Sequence, residues 1–354
     1  MKDGSSLSDY DYDLPQDRIA RYPSERRDGS RLLALTQTGE LRHLGFADIV
    51  TLFRPGDVLV VNETKVIPAR LLGRKPTGAP AEILLMRPAP VGGDERVWEA
   101  LVRPGSKLKP GRMVVIADDL AVEILDSAPG GGRVVRLVTD SSVEQALERH
   151  GHVPLPPYLG REEEPLDRER YQTIYARERG SVAAPTAGLH FTPEILSALE
   201  GAGVRRAALT LHVGIGTFRP VEGDDIETHV MHGESYEVSQ VAAATVNAAR
   251  AEGGRVWAVG TTTVRTLESV ADEHGRVRAG SGSTRLFIRP PYSFRVVDCM
   301  LTNFHLPRST LLMLVAAFAG YGHTMAAYAE AVRTGYRFYS YGDAMVVERS
   351  PARF

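Results

Sequence analysis

The sequence predicts an α/β protein, a multidomain α and β chain in which a small all-β barrel is inserted into an α/β body. Three observations carry this. Strand-like and helix-like segments alternate with short connections from about Tyr171 onward. A central stretch changes to short apolar runs punctuated by Gly, Pro and Asp clusters. The 354 residues are enough for two domains. The expected division is a discontinuous body at 1–66 and 156–354 with the barrel at 67–155.

The opening segment, Tyr12 to Leu33, carries Leu-Pro, Tyr-Pro and Arg-Asp-Gly turns. Leu32–Leu35 and Val58–Val61 read as buried strands around a short helix near Phe46–Leu52. Six short strands follow at Ala69–Leu72, Ala81–Met86, Val97–Val102, Met113–Ile116, Ala121–Leu125 and Val134–Val138. Helical periodicity returns at Ser142–His150, and Val153-Pro-Leu-Pro-Pro-Tyr158 is the return linker. A strand at Val182–Ala184 then leads through a loop into a helix capped by Thr192, with Pro193 at its first position. Next come a strand at Ala207–Val213, an Ala-rich helix at Ser239–Glu252 and a strand at Val256–Val259. Gly260-Thr-Thr-Thr opens the helix of Val264–Val270, and Arg295–Met300 leads into an apolar helix from Leu311, capped by Ser309 or Thr310.

Composition excludes several classes. One cysteine, Cys299, rules out an intrachain disulfide framework and a cysteine zinc site. Met1 to Asp13 is polar and acidic without an apolar signal core, so a cytoplasmic location is expected. The longest apolar run, Leu311–Ala319, is about half of a bilayer span, so no membrane is expected. The net charge of −2 argues against a generic nucleic-acid coat protein. Yet residues 276–354 hold ten arginines and no lysine against four acids, a surface able to face phosphates.

Five of the ten histidines sit in short polar stretches punctuated by Gly or Pro, mostly where a predicted strand ends. Ligands of open α/β sheets collect outside the carboxyl ends of strands, and imidazole moves protons near neutral pH. Any one such histidine could simply donate to a carbonyl at a loop entrance; the five together point to an enzyme. Gly260-Thr261-Thr262-Thr263-Val-Arg265 is strand, tight turn and helix, and suits an anion. His212-Val-Gly214-Ile-Gly216-Thr217 lets a ligand approach the backbone closely but lacks the third glycine of a dinucleotide fingerprint. His229-x-x-His232-x-Glu234 has spacing too weak for a metal, and proton transfer or substrate hydrogen bonding is the expected use. Asn303, His305 and Arg308 place an amide, a base and a cation at one strand exit. Tyr336-Arg337-Phe-Tyr-Ser-Tyr-Gly-Asp343 sets aromatics beside a cation, for stacking on a base and meeting a phosphate.

Nine blocks resemble one family throughout. They are Asp13-Leu-Pro with Ile19-Ala; Arg27-Asp-Gly-Ser-Arg-Leu; the run Gly56-Asp-Val-Leu-Val-Val-Asn-Glu-Thr-Lys-Val-Ile-Pro-Ala-Arg70; Ala184-Pro-Thr-Ala-Gly-Leu-His-Phe-Thr; Leu209-Thr-Leu-His-Val-Gly-Ile-Gly-Thr-Phe; Glu227-Thr-His-Val-Met-His-Gly-Glu; Val259-Gly-Thr-Thr-Thr-Val-Arg-Thr-Leu-Glu-Ser; Leu301-Thr-Asn-Phe-His-Leu-Pro-Arg-Ser-Thr-Leu; and Tyr336-Arg-Phe-Tyr-Ser-Tyr-Gly-Asp-Ala-Met. In this order, from about Asp11 to Met345, they resemble the S-adenosylmethionine:tRNA ribosyltransferase-isomerase family of queuosine biosynthesis. Departures are Arg18 and Arg21, where leucine and glutamine are usual, and Pro291 in place of a glycine.

The resemblance implies transfer and isomerisation of the ribosyl part of S-adenosylmethionine onto aminomethyl-deazaguanine at the tRNA wobble position. Epoxyqueuosine-tRNA, adenine and methionine are the implied products. S-adenosylmethionine is then a co-substrate, with no cofactor and no metal, and a monomer is expected. The chemistry needs a base for the carbon acid beside sulfur, an acid for departing adenine and a base for the attacking amine. His190, His212, His232 and His305 are the candidates. Gly214, Gly216, Thr217, Thr261, Thr262, Thr263, Arg265, Asn303, Arg308 and Arg337 are the expected substrate contacts. Two rival classes are a methyltransferase, for which no strand–GxGxG–helix site is present, and a non-catalytic tRNA-binding module, which has no need of clustered histidines.

Overall fold

The computed structural model describes residues 3–89, 92–214, 226, 229 and 231–351. The body is built on β1 (Arg31–Leu35), β2 (Leu41–Gly45), β3 (Val58–Asn62) and β4 (Thr64–Val66). Phe46–Leu52 is a 3-10 helix. The barrel strands follow as β5 (Arg70–Arg74), β6 (Pro80–Pro88), β7 (Val97–Arg103), β8 (Met113–Ala117), β9 (Leu120–Ser127) and β10 (Arg133–Val138). They close in the order β10-β7-β6-β5-β8-β9. Helices α1 (Val143–His150) and α2 (Pro165–Arg170) lead back to β11 (Glu178–Ser181). The remainder is α3 (Pro193–Gly201), β12 (Arg205–Leu211), β13 (Glu234–Val238), α4 (Gln240–Ala251), β14 (Val256–Val259), α5 (Thr261–Val270), β15 (Gly280–Thr284), β16 (Cys299–Asn303), α6 (Thr310–Ala319), α7 (Tyr321–Arg333) and β17 (Ala344–Glu348).

Nine strands form one mixed sheet in the order β15-β13-β12-β3-β14-β16-β17-β1-β2. Alternation along each strand feeds two layers. Leu33, Leu35, Val58, Val60 and Ala258 pack under α4, α6 and α7. Leu32, Ala34, Leu59, Val61 and Trp257 pack under α3 and the Phe46–Leu52 turn. The barrel carries its own core, centred on Leu71, Ile83, Leu85, Val122, Ile124 and Val135. α6 is buried along almost its whole length because it crosses the sheet beneath α7. Among the described residues no single helix is long and apolar enough to cross a membrane.

One expected strand shifts, and two features of the chain carry no strand signal of their own. The strand expected at Val182–Ala184 lies at Glu178–Ser181, because Glu178 and Arg179 pair with β4 while Val182 turns to bond the carbonyl of Val213. β15 (Gly-Ser-Gly-Ser-Thr) has no apolar alternation and exists through its edge pairing with β13. The segment Tyr336–Asp343 is not a strand; the strand begins at Ala344.

Candidate active site

β12, β3, β14 and β16 run parallel, so their carboxyl ends share one edge of the sheet. β17 runs antiparallel to β16, and β1 parallel to β17. The residues that precede β1 and β17 therefore arrive at that same edge: Ala344 lies opposite both Asn303 and Leu32. A cavity opens there, lined by Thr186, Thr261, Thr262, Asn303, His305 and Tyr339 among others. This is the carboxyl-edge position where open α/β sheets bind ligands.

One wall is the start of α5. The chain leaves β14 through Gly260 at φ +87°, a conformation side-chain-bearing residues rarely adopt. The turn is immediate, so the first amides of α5, which have no helical acceptor, stand at the cavity. Thr263 turns its hydroxyl back to the carbonyl of Val259 at 2.7 Å, and Thr262 Oγ1 accepts from Asn62 at 3.4 Å. Thr261 is buried against the cavity.

His305 forms a second wall. Its Nε2 meets Thr302 Oγ1 at 2.9 Å, its N–H donates to the Tyr328 hydroxyl at 3.1 Å, and its carbonyl accepts from the Tyr12 hydroxyl. Burial pushes its pKa down to about 3, so the ring is neutral at physiological pH.

His190 lies behind the cavity rather than in it. It is 4% exposed, stacked on Phe46 at 5.0 Å, with Nδ1 on Ser30 Oγ at 2.8 Å and Nε2 on Asn303 Nδ2 at 3.1 Å. Burial lowers its pKa to about 4; the Asp343 charge opposes this, and Arg337 and Arg27 add to it. Both ring nitrogens are occupied, Nδ1 by Ser30 and Nε2 by Asn303. His212 also faces away from the cavity: its Nδ1 meets Thr64 Oγ1 at 2.8 Å, and the ring lies over Gly180. Burial lowers its pKa, with Glu178 and Glu237 opposing. The reason is alternation, since the next residue, Val213, is the one that lines the cavity. His232 is exposed just before β13.

The expected substrate contacts divide similarly. Arg265 is 4% exposed and paired with buried Glu234, and its Nε donates to the Leu286 carbonyl at 3.0 Å. It is a core ion pair, because α5 turns this residue away from its own N-terminus toward β13. Gly214 donates its amide to Glu234 Oε1 at 3.3 Å. Gly216 and Thr217 lie outside the described residues. Arg308 is exposed at φ +57°, its N–H on the Tyr10 carbonyl at 3.0 Å. Arg337 is half-buried beside Asp343, which accepts its backbone N–H at 2.8 Å and also holds Arg31 at 3.0 Å. The Arg337 guanidinium lies 3.8 Å from the same carboxylate. His229 packs against Phe287, and Glu234 pairs with Arg265. Among the described residues no group of three or more His, Cys, Asp or Glu is arranged for one.

Sequence reasoning missed Ser30, Thr186, Tyr158 and Ser340. Tyr158 comes from the return linker, bonds Ser340 Oγ and packs edge-on to Tyr339 at 3.8 Å. Thr186 and Ser30 stand inside the conspicuous motifs, but a hydroxyl has no spacing signal of its own.

The chain matches the family model described as queuosine biosynthesis protein over residues 7–347. It is 54% identical over 345 residues to a protein of Pelotomaculum thermopropionicum named S-adenosylmethionine:tRNA ribosyltransferase-isomerase, covering 97% of this chain and 99% of that one. A protein of the same name from Symbiobacterium thermophilum is also 54% identical, over 96% and 99% of the two chains. A crystal structure of S-adenosylmethionine tRNA ribosyltransferase from Thermotoga maritima is 40% identical, covers 96% of this chain and 99% of that chain, and superposes with a TM-score of 0.55. The chain belongs to the queuosine biosynthesis family of S-adenosylmethionine:tRNA ribosyltransferase-isomerases.

Proposed function

We propose that this chain moves the ribosyl part of S-adenosylmethionine onto aminomethyl-deazaguanine at the wobble position of tRNA. The products are epoxyqueuosine-tRNA, adenine and methionine, and the reaction runs in the cytoplasm. One observation carries the assignment of the site: a neutral, buried imidazole, His305, shares a cavity with the start of α5.

The chemistry follows from that pairing. The α5 amides and the Thr261 hydroxyl suit the methionyl carboxylate. Removing a proton from the carbon beside the sulfonium cancels the substrate's sulfur charge and creates imidazolium. The positive charge is moved rather than added, so burial does not oppose the step as it would a net new charge. In the tautomer this step uses, Nε2–H is donated to Thr302 Oγ1 and Nδ1 is the nitrogen that takes the proton. Phe304, Leu311 and Tyr339 give the cavity part of its apolar wall. Arg337 and Arg308, two and three residues in sequence from the cavity residues Tyr339 and His305, are the proposed contacts for tRNA phosphates.

Purified protein is expected to release adenine and methionine from S-adenosylmethionine only when the tRNA carries aminomethyl-deazaguanine. Mass spectrometry showing S-adenosylhomocysteine and methylated tRNA instead would replace this reading with a methyltransferase.

A further inference from the structure

A chain of hydrogen bonds fixes the polarity of one cavity wall. The Asp343 carbonyl can only accept, and it lies 3.5 Å from Asn303 Nδ2. That places the amide nitrogen toward Asp343 and His190, and Oδ1 toward Thr186. His190 Nε2 must then accept, so its proton is on Nδ1 and is donated to Ser30 Oγ at 2.8 Å. Thr186 must donate its hydroxyl proton to Asn303 Oδ1 at 2.9 Å. Its oxygen lone pairs are left for the cavity it lines. The turn bearing Thr186 sits directly against the start of α5: a Cβ built on Gly260 would lie 3.8 Å from Ala187 Cβ. An acceptor and a set of amide donors thus stand side by side, the arrangement that matches a zwitterionic α-amino acid.

We infer that Thr186 accepts a hydrogen bond from the α-ammonium of the methionyl part of the substrate, and that His190 and Asn303 are positioning residues that keep it an acceptor. This rests on S-adenosylmethionine occupying the cavity. Ser30 and Asp343 complete the relay from the ends of two neighbouring strands.

The test is calorimetric binding without tRNA, using S-adenosylmethionine and analogues lacking the α-amino group, the ribose 2′-hydroxyl or the adenine amine. Wild type is expected to bind the des-amino analogue about 10-fold or more weakly, the scale of a hydrogen bond to a charged group. Thr186→Val is expected to lose about the same factor for S-adenosylmethionine and to stop distinguishing it from the des-amino analogue. Thr186→Ser should restore the distinction, and His190→Phe should blur it by letting the Asn303 amide turn. Thr186→Val that keeps the wild-type ratio overturns the inference, as does loss of discrimination against either of the other two analogues instead. Leu311→Trp, which fills the cavity, separates the two levels of argument. Unchanged binding there would show that S-adenosylmethionine sits elsewhere; lost binding there with an unaltered Thr186→Val ratio would sink the inference alone.

Discussion

Asn303 donates its side-chain amide to Nε2 of His190 across 3.1 Å, joining the end of β16 to the turn before α3. That bond converts a histidine at a loop mouth into part of the wall behind the site. It also requires His190 to stay neutral, since an imidazolium would aim an N–H at an NH2 group.

The pH dependence of stability follows. His190 titrates near 6.5 when unfolded and near 4 when folded, because burial disfavours its charge. Between those values the unfolded chain binds the extra proton. Stability from this residue is therefore complete above about pH 6.5 and is lost as pH falls toward 4. His190→Phe should flatten the urea-unfolding profile in that window by up to about 1.4 kcal/mol per pH unit, one proton's worth. An unchanged slope would show that His190 titrates normally in the folded protein.

His305→Gln should lower turnover by roughly 10²-fold or more, the scale of a lost general base, while binding of S-adenosylmethionine and tRNA changes little. Single-turnover adenine release measures this directly. Near-normal turnover would assign proton removal to another group.

Arg265 should behave as a core residue. Arg265→Met leaves Glu234 buried without its cation, an expected loss of about 3 kcal/mol or more in urea unfolding. The double change Arg265→Met with Glu234→Leu should recover part of that loss. A stable Arg265→Met with weakened substrate binding would make the arginine a ligand contact instead.

Arg337→Ala and Arg308→Ala should weaken tRNA binding and lower the slope of log affinity against log salt by about one per lost phosphate contact. Wild-type affinity and slope in both would move the docking face, with Lys107, Lys109 and Arg112 on the barrel as the next surface to mutate.

Removal of 68–154 with a short flexible linker should leave a body that melts cooperatively, because Leu71, Ile83 and Val122 pack within the barrel rather than against the large sheet. A broad, non-cooperative transition would show that Ile67 and Val182, which touch the barrel core, bind the two parts into one unit.

Local pattern made much of this fold legible. The continuous apolar runs Leu32–Leu35 and Val58–Val61 marked strands buried on both faces, Thr192-Pro193 and Ser309 marked helix starts, and Gly/Pro turns marked the barrel strands. The β15 strand and the register of Tyr336–Asp343 were not legible, because edge pairing and turn geometry depend on partners distant in sequence. Of the candidate site, the sequence itself marked out loops that the structure brings to one cavity, since Gly260, Asn303 and His305 stand where strands end. Tertiary structure decided which side chains face the cavity. β1 and β17 run opposite to β16, which brings Ser30 and Asp343 to its carboxyl edge and closes the relay through His190. Alternation after β12 sends Val213 into the cavity and His212 away from it, and the helical turn of α5 carries Arg265 into the core. Those are consequences of chain direction and rotation about each element, which residue types and spacing do not encode until the elements are packed.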